Sequence, residues 1–156
     1  AILALLAPRW RRDGPTDYGP ALCRHAQFKR MNNGGAPIRF KHRVAVYGTL
    51  KRGRNNSHIL RGERFVGTDW MPKLSLYHLG PYPGAVEEPS TGVRVEIYEV
   101  NDSTLKILDE LEDFFPERPQ SSLYIRRTMD TRHGPAWVYL YNRPVKTIQR
   151  LNSGSW

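Results

Sequence analysis

Apolar and polar positions change period several times along the chain, and each change marks an element. From residue 43 the run RVAVY is compact and apolar and stops at Gly48, the form of a buried strand ended by a turn. SHIL at 57–60 is long enough for one helical turn, and RFVGTDW from Arg64 reads as a second strand. KLSLYHL alternates as a strand does. GPYPGAVEEPSTG, rich in proline and glycine, then reads as an interruption made of turns. VRVEIYEV alternates cleanly, with Val93, Val95 and Ile97 on one face and Arg94, Glu96 and Tyr98 on the other. LYIRRTM and AWVYLYN give two more strands, with a turn at His133, Gly134 and Pro135 between them.

One segment takes the helical period. DSTLKILDELEDFF opens on two capping candidates, Asp102 and Ser103. At about 100° per residue, Ile107, Leu111, Phe115 and Leu108 share one apolar face bounded by Leu105, and Lys106, Asp109, Glu110 and Asp113 lie on the solvated side. Glu112 breaks the division. It falls between Leu108 and Leu105, at the edge of the apolar stripe, where a carboxylate is costly unless it is paired, protonated or put to use. Two readings stay open at this point: Glu112 reaches water or an arginine such as Arg126 at the helix end, or it is a catalytic group. Several twisting strands beside one main helix and a few short ones predict an α+β fold, a small mixed-sheet β-barrel.

Composition narrows the function classes. At 156 residues and 39% hydrophobic, the chain suits one domain with its own core. Its single cysteine, Cys23, has no partner for a disulfide and no zinc-type spacing. His58, His78 and His133 also lack ligand spacing, so neither metal nor cofactor is expected. A reducing, cytoplasmic setting is the expectation that follows. AILALLAP is too short to cross a bilayer, and its arginines follow rather than precede it, so no membrane partner is expected.

The net charge of +9 is local rather than general. Residues 1–54 hold 12 Lys and Arg against 2 Asp and Glu, and residues 55–156 hold 12 against 13. Residues 1–40 therefore read as a basic, flexible extension, either a leader or a solvated arm, with a short helix near 21–30 and a candidate translation start at Met31. Residues 41–156 read as the folded domain. Its neutral balance argues against nucleic acid as the domain's ligand, while the extension leaves open a binding protein that docks an acidic or nucleic-acid partner. Lys51, Arg52 and Arg54 are expected to be solvated, and Trp70 and Trp137 to lie in the core.

Two features converge on a family. VYGTLKRG, followed some sixty residues on by LDELED, resembles the γ-glutamylcyclotransferase superfamily, in particular its γ-glutamylamine cyclotransferase-like and AIG2-like branches. PYPGAV at 81–86, VRVEIYEV and LYIRR at 123–127 resemble further family segments in the same order, so the likeness spans residues 44–141. The chain departs from the pattern in a longer stretch between Glu112 and Tyr124, and in Val95, which stands where the family usually has glycine.

The resemblance implies a small-molecule γ-glutamyl substrate and cleavage of its amide by the substrate's own α-amino group, releasing 5-oxoproline. Glu112 would then be the catalytic proton carrier. Backbone N–H groups of Tyr47, Gly48, Thr49 and Leu50 would hold the substrate carboxylate, and Tyr82 and Tyr124 would line the site. Gly48 would serve either a close approach or an unusual φ.

Overall fold

The computed structural model describes residues 41–156. The basic extension, its expected helix and any docking surface on it lie outside the described residues. The described chain runs β1 (His42–Val46), β2 (Arg64–Met71), β3 (Ser75–His78), β4 (Pro83–Val86), β5 (Val93–Val100), the helix α1 (Asp102–Leu111), β6 (Tyr124–Thr131) and β7 (Gly134–Tyr141), with short 3-10 turns between. The turn at Ser57–Leu60 is one of these.

The unbroken apolar run of β1 is explained by its place at the centre of the sheet. Val44, Ala45 and Val46 are all buried, because layers cover both faces. β1 pairs antiparallel with β5, His42 opposite Val100, and parallel with β7, where Val44 faces Trp137. The five-stranded order is β2-β5-β1-β7-β6, while β3 and β4 form a separate hairpin. On one face Ala45, Val93, Val95, Ile97 and Val138 pack with Leu74, Leu76 and Ala85. On the other, Val44, Val46, Tyr98 and Val100 pack against Leu105 and Leu108 of α1. The clean alternation of β5 thus serves two cores, and Tyr98, on the face it shares with Arg94 and Glu96, is buried.

The architecture is α+β with a mixed sheet, as expected, but the sheet does not close into a barrel: β2 and β6 remain as edges. The PYPGAV segment is not only turns. Pro83 opens β4, a position where a missing N–H costs little. Arg132 and His133 make the β6–β7 turn, so Gly134 and Pro135 belong to β7. Trp70 is 49% exposed because it sits on edge strand β2, and Trp137 is half-buried beneath the Arg126 guanidinium, 4.7 Å from its ring centre.

The helix starts where its pattern does, at Asp102, but ends at Leu111, short of the pattern's last residues. Asn101, not Asp102 or Ser103, is the N-cap, its side chain accepting from the Thr104 N–H at 2.9 Å. Asp113 takes a left-handed φ of 49°, which ends the helix before Phe114 and Phe115 can join it. Ile107, placed on the apolar face by the pattern, is 39% exposed.

Candidate active site

At the end of β1 the backbone leaves the sheet at Gly48. The Lys51 N–H donates to the Gly48 carbonyl at 3.1 Å and the Asn56 N–H to the Thr49 carbonyl at 3.0 Å, so the loop folds back upon its carbonyls. The N–H groups of Gly48, Thr49 and Leu50 bond to no described residue. The Leu50 side chain is held in the helix-side core, and the Thr49 hydroxyl accepts from Asn56 Nδ2 at 2.9 Å. Three successive unused donors suit an anion.

Gly48 is required by a close approach and not by φ, since it is not among the left-handed glycines. A Cβ there would stand 2.7 Å from Cγ of Pro83. The β3–β4 hairpin therefore abuts this loop.

Tyrosine hydroxyls tie the neighbouring elements together. Tyr47 donates to the Tyr139 carbonyl at 2.5 Å and accepts from the Ala85 N–H at 3.2 Å. Tyr124 donates to the Pro83 carbonyl at 2.9 Å, and its ring meets Tyr141 edge-on at 5.4 Å. Burial foremost, and then nearby charge, pushes the phenols of Tyr47 and Tyr124 well above the usual range. Tyr82 is half-buried, and burial followed by the neighbouring Tyr141 and Asp113 raises its phenol too.

Glu112 stands at the C-cap of α1, its N–H donating to the Leu108 carbonyl at 3.0 Å. This is the end of the helix where the carbonyl dipoles disfavour negative charge. The residue as a whole keeps some contact with solvent, but its carboxyl is closely surrounded by protein, and that immediate setting governs its affinity for a proton. Burial first, and then the adjacent Asp113 carboxylate, pushes it from 4.5 up to about 8. No hydrogen bond or ion pair joins this carboxyl to a described residue. Its charge is one of the lesser causes, after burial, of the raised phenols of Tyr47, Tyr124 and Tyr139.

The salt-bridge alternative for Glu112 fails on geometry. Arg126 Nη1 lies 2.8 Å from both carboxylate oxygens of Asp109, one turn earlier in α1. Tyr139 donates to the same carboxylate at 2.6 Å. Asp109 is thus part of a half-buried network and not a solvated residue, and its carboxyl is raised by burial against the lowering effect of Tyr139 and Arg126. Asp109, Arg126 and Tyr139 are the members of this neighbourhood that sequence reasoning missed; only the position of Asp109 beside Leu105 on the helical wheel hinted at it.

Lys51 is a second correction. It is 6% exposed instead of solvated, and burial together with the nearby Arg54 holds its ammonium below the usual lysine range. Arg52 lies over the Phe65 ring at 3.5 Å. Two surface cavities, of about 190 and 310 Å³, are lined by other residues, the larger by Arg52, Arg61 and Phe65. What singles out Glu112 and the 48–50 loop is an unpaired, closely surrounded carboxyl in the one and free backbone donors in the other rather than cavity size. Among the described residues no group of three or more His, Cys, Asp or Glu side chains is arranged to hold a metal ion, and no helix is long and apolar enough to cross a membrane.

Comparison with known proteins supplies independent observations. Residues 44–156 match the family model described as gamma-glutamyl cyclotransferase, AIG2-like. The gamma-glutamylcyclotransferase family protein YtfP of Escherichia coli is 37% identical over 114 residues, which is 73% of this chain and 95% of that protein. The gamma-L-glutamyl-butirosin B gamma-glutamyl cyclotransferase of Niallia circulans is 33% identical, over 67% of this chain and 69% of its own length. Among solved structures, an uncharacterized protein of Pyrococcus horikoshii superposes with a TM-score of 0.62 at 29% identity, covering 74% of this chain and 89% of its own.

Proposed function

Because the chain belongs to the gamma-glutamyl cyclotransferase, AIG2-like family and is an enzyme of the cyclotransferase class, we propose that it cleaves a γ-glutamyl amide by intramolecular aminolysis. The α-amino nitrogen of the γ-glutamyl group attacks its own γ-carbonyl carbon, a C–N bond forms to close the five-membered ring, and the amide C–N bond breaks. The products are 5-oxoproline and a free amine. The relative named for γ-L-glutamyl-butirosin B supports the γ-glutamyl group as the recognised half of the substrate.

The residues divide the work. The free N–H groups of Gly48, Thr49 and Leu50 hold the substrate α-carboxylate, which folds the substrate so that amine and carbonyl meet. The N–H of Tyr47, at the strand end, completes the expected set on the sheet side. Glu112 takes a proton from the α-ammonium and returns it to the departing amine. A carboxyl does both only if its proton affinity is near the working pH, and the apolar setting of Glu112 brings it there. Tyr82 and Tyr124 line the site, Tyr124 fixed by its bond to Pro83.

The observation that carries this reading is the unpaired Glu112 carboxyl, raised to about 8. Its test is incubation with a panel of γ-glutamyl amines and γ-glutamyl peptides and assay for 5-oxoproline. Release from one class and not the other identifies the amine half. No release from any member overturns the reading. Residues 41–156 are proposed to be sufficient, since the family match begins at Val44. A chain beginning at Arg39 is expected to turn over as fast as the full chain, and a folded but inactive shortened chain would place part of the site in the extension.

A further inference from the structure

Residues 150–156 bind to two parts of the molecule that the proposed reaction uses only separately. The Leu151 N–H donates to the Leu76 carbonyl at 2.7 Å, and the Arg94 N–H donates to the Gly154 carbonyl at 2.8 Å, fixing the segment along β3 and the start of β5. Beyond these anchors Trp156 engages both sides of the site. Its main-chain oxygen accepts from Lys51 Nζ at 3.0 Å and from Arg54 Nη2 at 2.7 Å, and Ser155 Oγ lies 3.3 Å from the same ammonium. Its indole packs on the His78 ring with centres 4.9 Å apart. His78 Nδ1 in turn accepts the Gly80 N–H at 3.1 Å, inside the turn that leads to Tyr82 and Pro83.

Lys51 directly follows the three unused N–H groups, and Pro83 is the residue against which Gly48 is packed. From this juxtaposition we infer that Trp156 and Lys51 are positioning residues: together they fix the spacing between the 48–50 loop and the β3–β4 hairpin, and so set how tightly the substrate carboxylate is held. The arrangement of Lys51 argues against simple stabilisation. A buried ammonium is costly unless its head is well compensated, and this one hydrogen-bonds to the Trp156 main-chain oxygen and the Ser155 hydroxyl, while the Glu96 carboxylate offsets only part of the cost of burial and of the nearby Arg54 and Arg94 charges. Its burial keeps the ammonium below its ordinary range, the cost expected of a lysine retained for placement.

The inference rests on the proposed γ-glutamyl reaction, so its test carries one kinetic and one non-kinetic reading. Trp156→Ala and Lys51→Met are each expected to raise KM for a γ-glutamyl substrate about 10-fold while kcat stays within about twofold, the signature of lost binding rather than lost chemistry. Trp156→Phe, which keeps a ring for His78, restores the original KM. Independently of turnover, amide hydrogen exchange at Lys51 and Asn56, whose hydrogen bonds close the loop, speeds up in Trp156→Ala while the α1 amides are unchanged. If Trp156→Ala does not fold, His78→Ala removes the stacking partner together with the acceptor of the Gly80 N–H, leaves Trp156 in place, and is expected to give the same two changes. Unchanged KM and unchanged exchange in folded variants overturn the inference, as does a fall in kcat at constant KM. If the wild-type chain releases no 5-oxoproline, the reaction is wrong, and the exchange measurement alone decides the positioning role.

Discussion

The two ends of α1 treat carboxylates in opposite ways. At the N-terminal end Asn101 caps the Thr104 N–H, and Asp102 is exposed, paired at 2.7 Å with both Lys41 and His42, whose hydrogen bonds hold its carboxyl below the usual range. At the C-terminal end Glu112 and Asp113 stand without partners where the helix dipole disfavours them, and burial raises both. The first arrangement is what folding favours. The second lowers stability, and a site of that kind persists where its chemistry is needed.

The largest effect should come from neutralising the costly end. Glu112→Gln keeps the shape and removes the titrating group; kcat is expected to fall about 10²-fold or more with substrate still bound, measured as 5-oxoproline release at saturation. Glu110 is two positions away and solvent-exposed, so Glu110→Gln should leave the rate unchanged. If both variants lose activity alike, the contrast within the helix has no catalytic meaning.

Next in size is the loop at Gly48. Gly48→Val drives a branched side chain into Pro83, where a Cβ alone would already stand 2.7 Å away, and should raise KM steeply or abolish turnover. Gly48→Ala gives a graded, smaller rise. A Gly48→Ala enzyme with unchanged KM would break the link between this loop and carboxylate binding.

A smaller effect concerns stability. Glu112 is raised in the folded state, so its protonated form is the one folding favours. Below the unfolded value of 4.5 both states are protonated and the group costs nothing; as pH rises from 4.5 toward about 8 the unfolded chain ionises first and stability is lost. Thermal melts of Glu112→Gln and wild type should therefore coincide near pH 4 and diverge above it, with the variant the more stable. A variant less stable at pH 8 would return Glu112 to a structural role. The smallest effect belongs to the other end: Asp102→Asn, at an exposed ion pair, should change melting little and turnover not at all.

What the sequence revealed and what it hid divide by locality. Strand periods, the glycine stop after β1 and the misfit of Glu112 on its helical wheel are properties of neighbouring residues, and they were legible. The burial of Lys51 depends on Trp156, 105 residues further on, which no local pattern reports. The pairing of Asp109 with Arg126 and Tyr139 likewise joins α1 to β6 and β7. β4 was hidden because proline signals turns, although Pro83 at a strand start removes no needed donor. The helix stop was hidden because the apolar pattern runs on to Phe115, while the left-handed Asp113 turns the chain first. Phe114 and Phe115 still reach half-buried positions, from a loop.

The central claim is that Glu112 exchanges a proton with the substrate, and the most direct test is the pH dependence of kcat/KM for 5-oxoproline release. In the wild type log(kcat/KM) should rise with pH and bend near 8, where the free enzyme's Glu112 ionises. In Glu112→Gln the rate should be low at every pH and that bend absent. A Glu112→Gln enzyme that keeps near-normal turnover and the same bend would contradict the account.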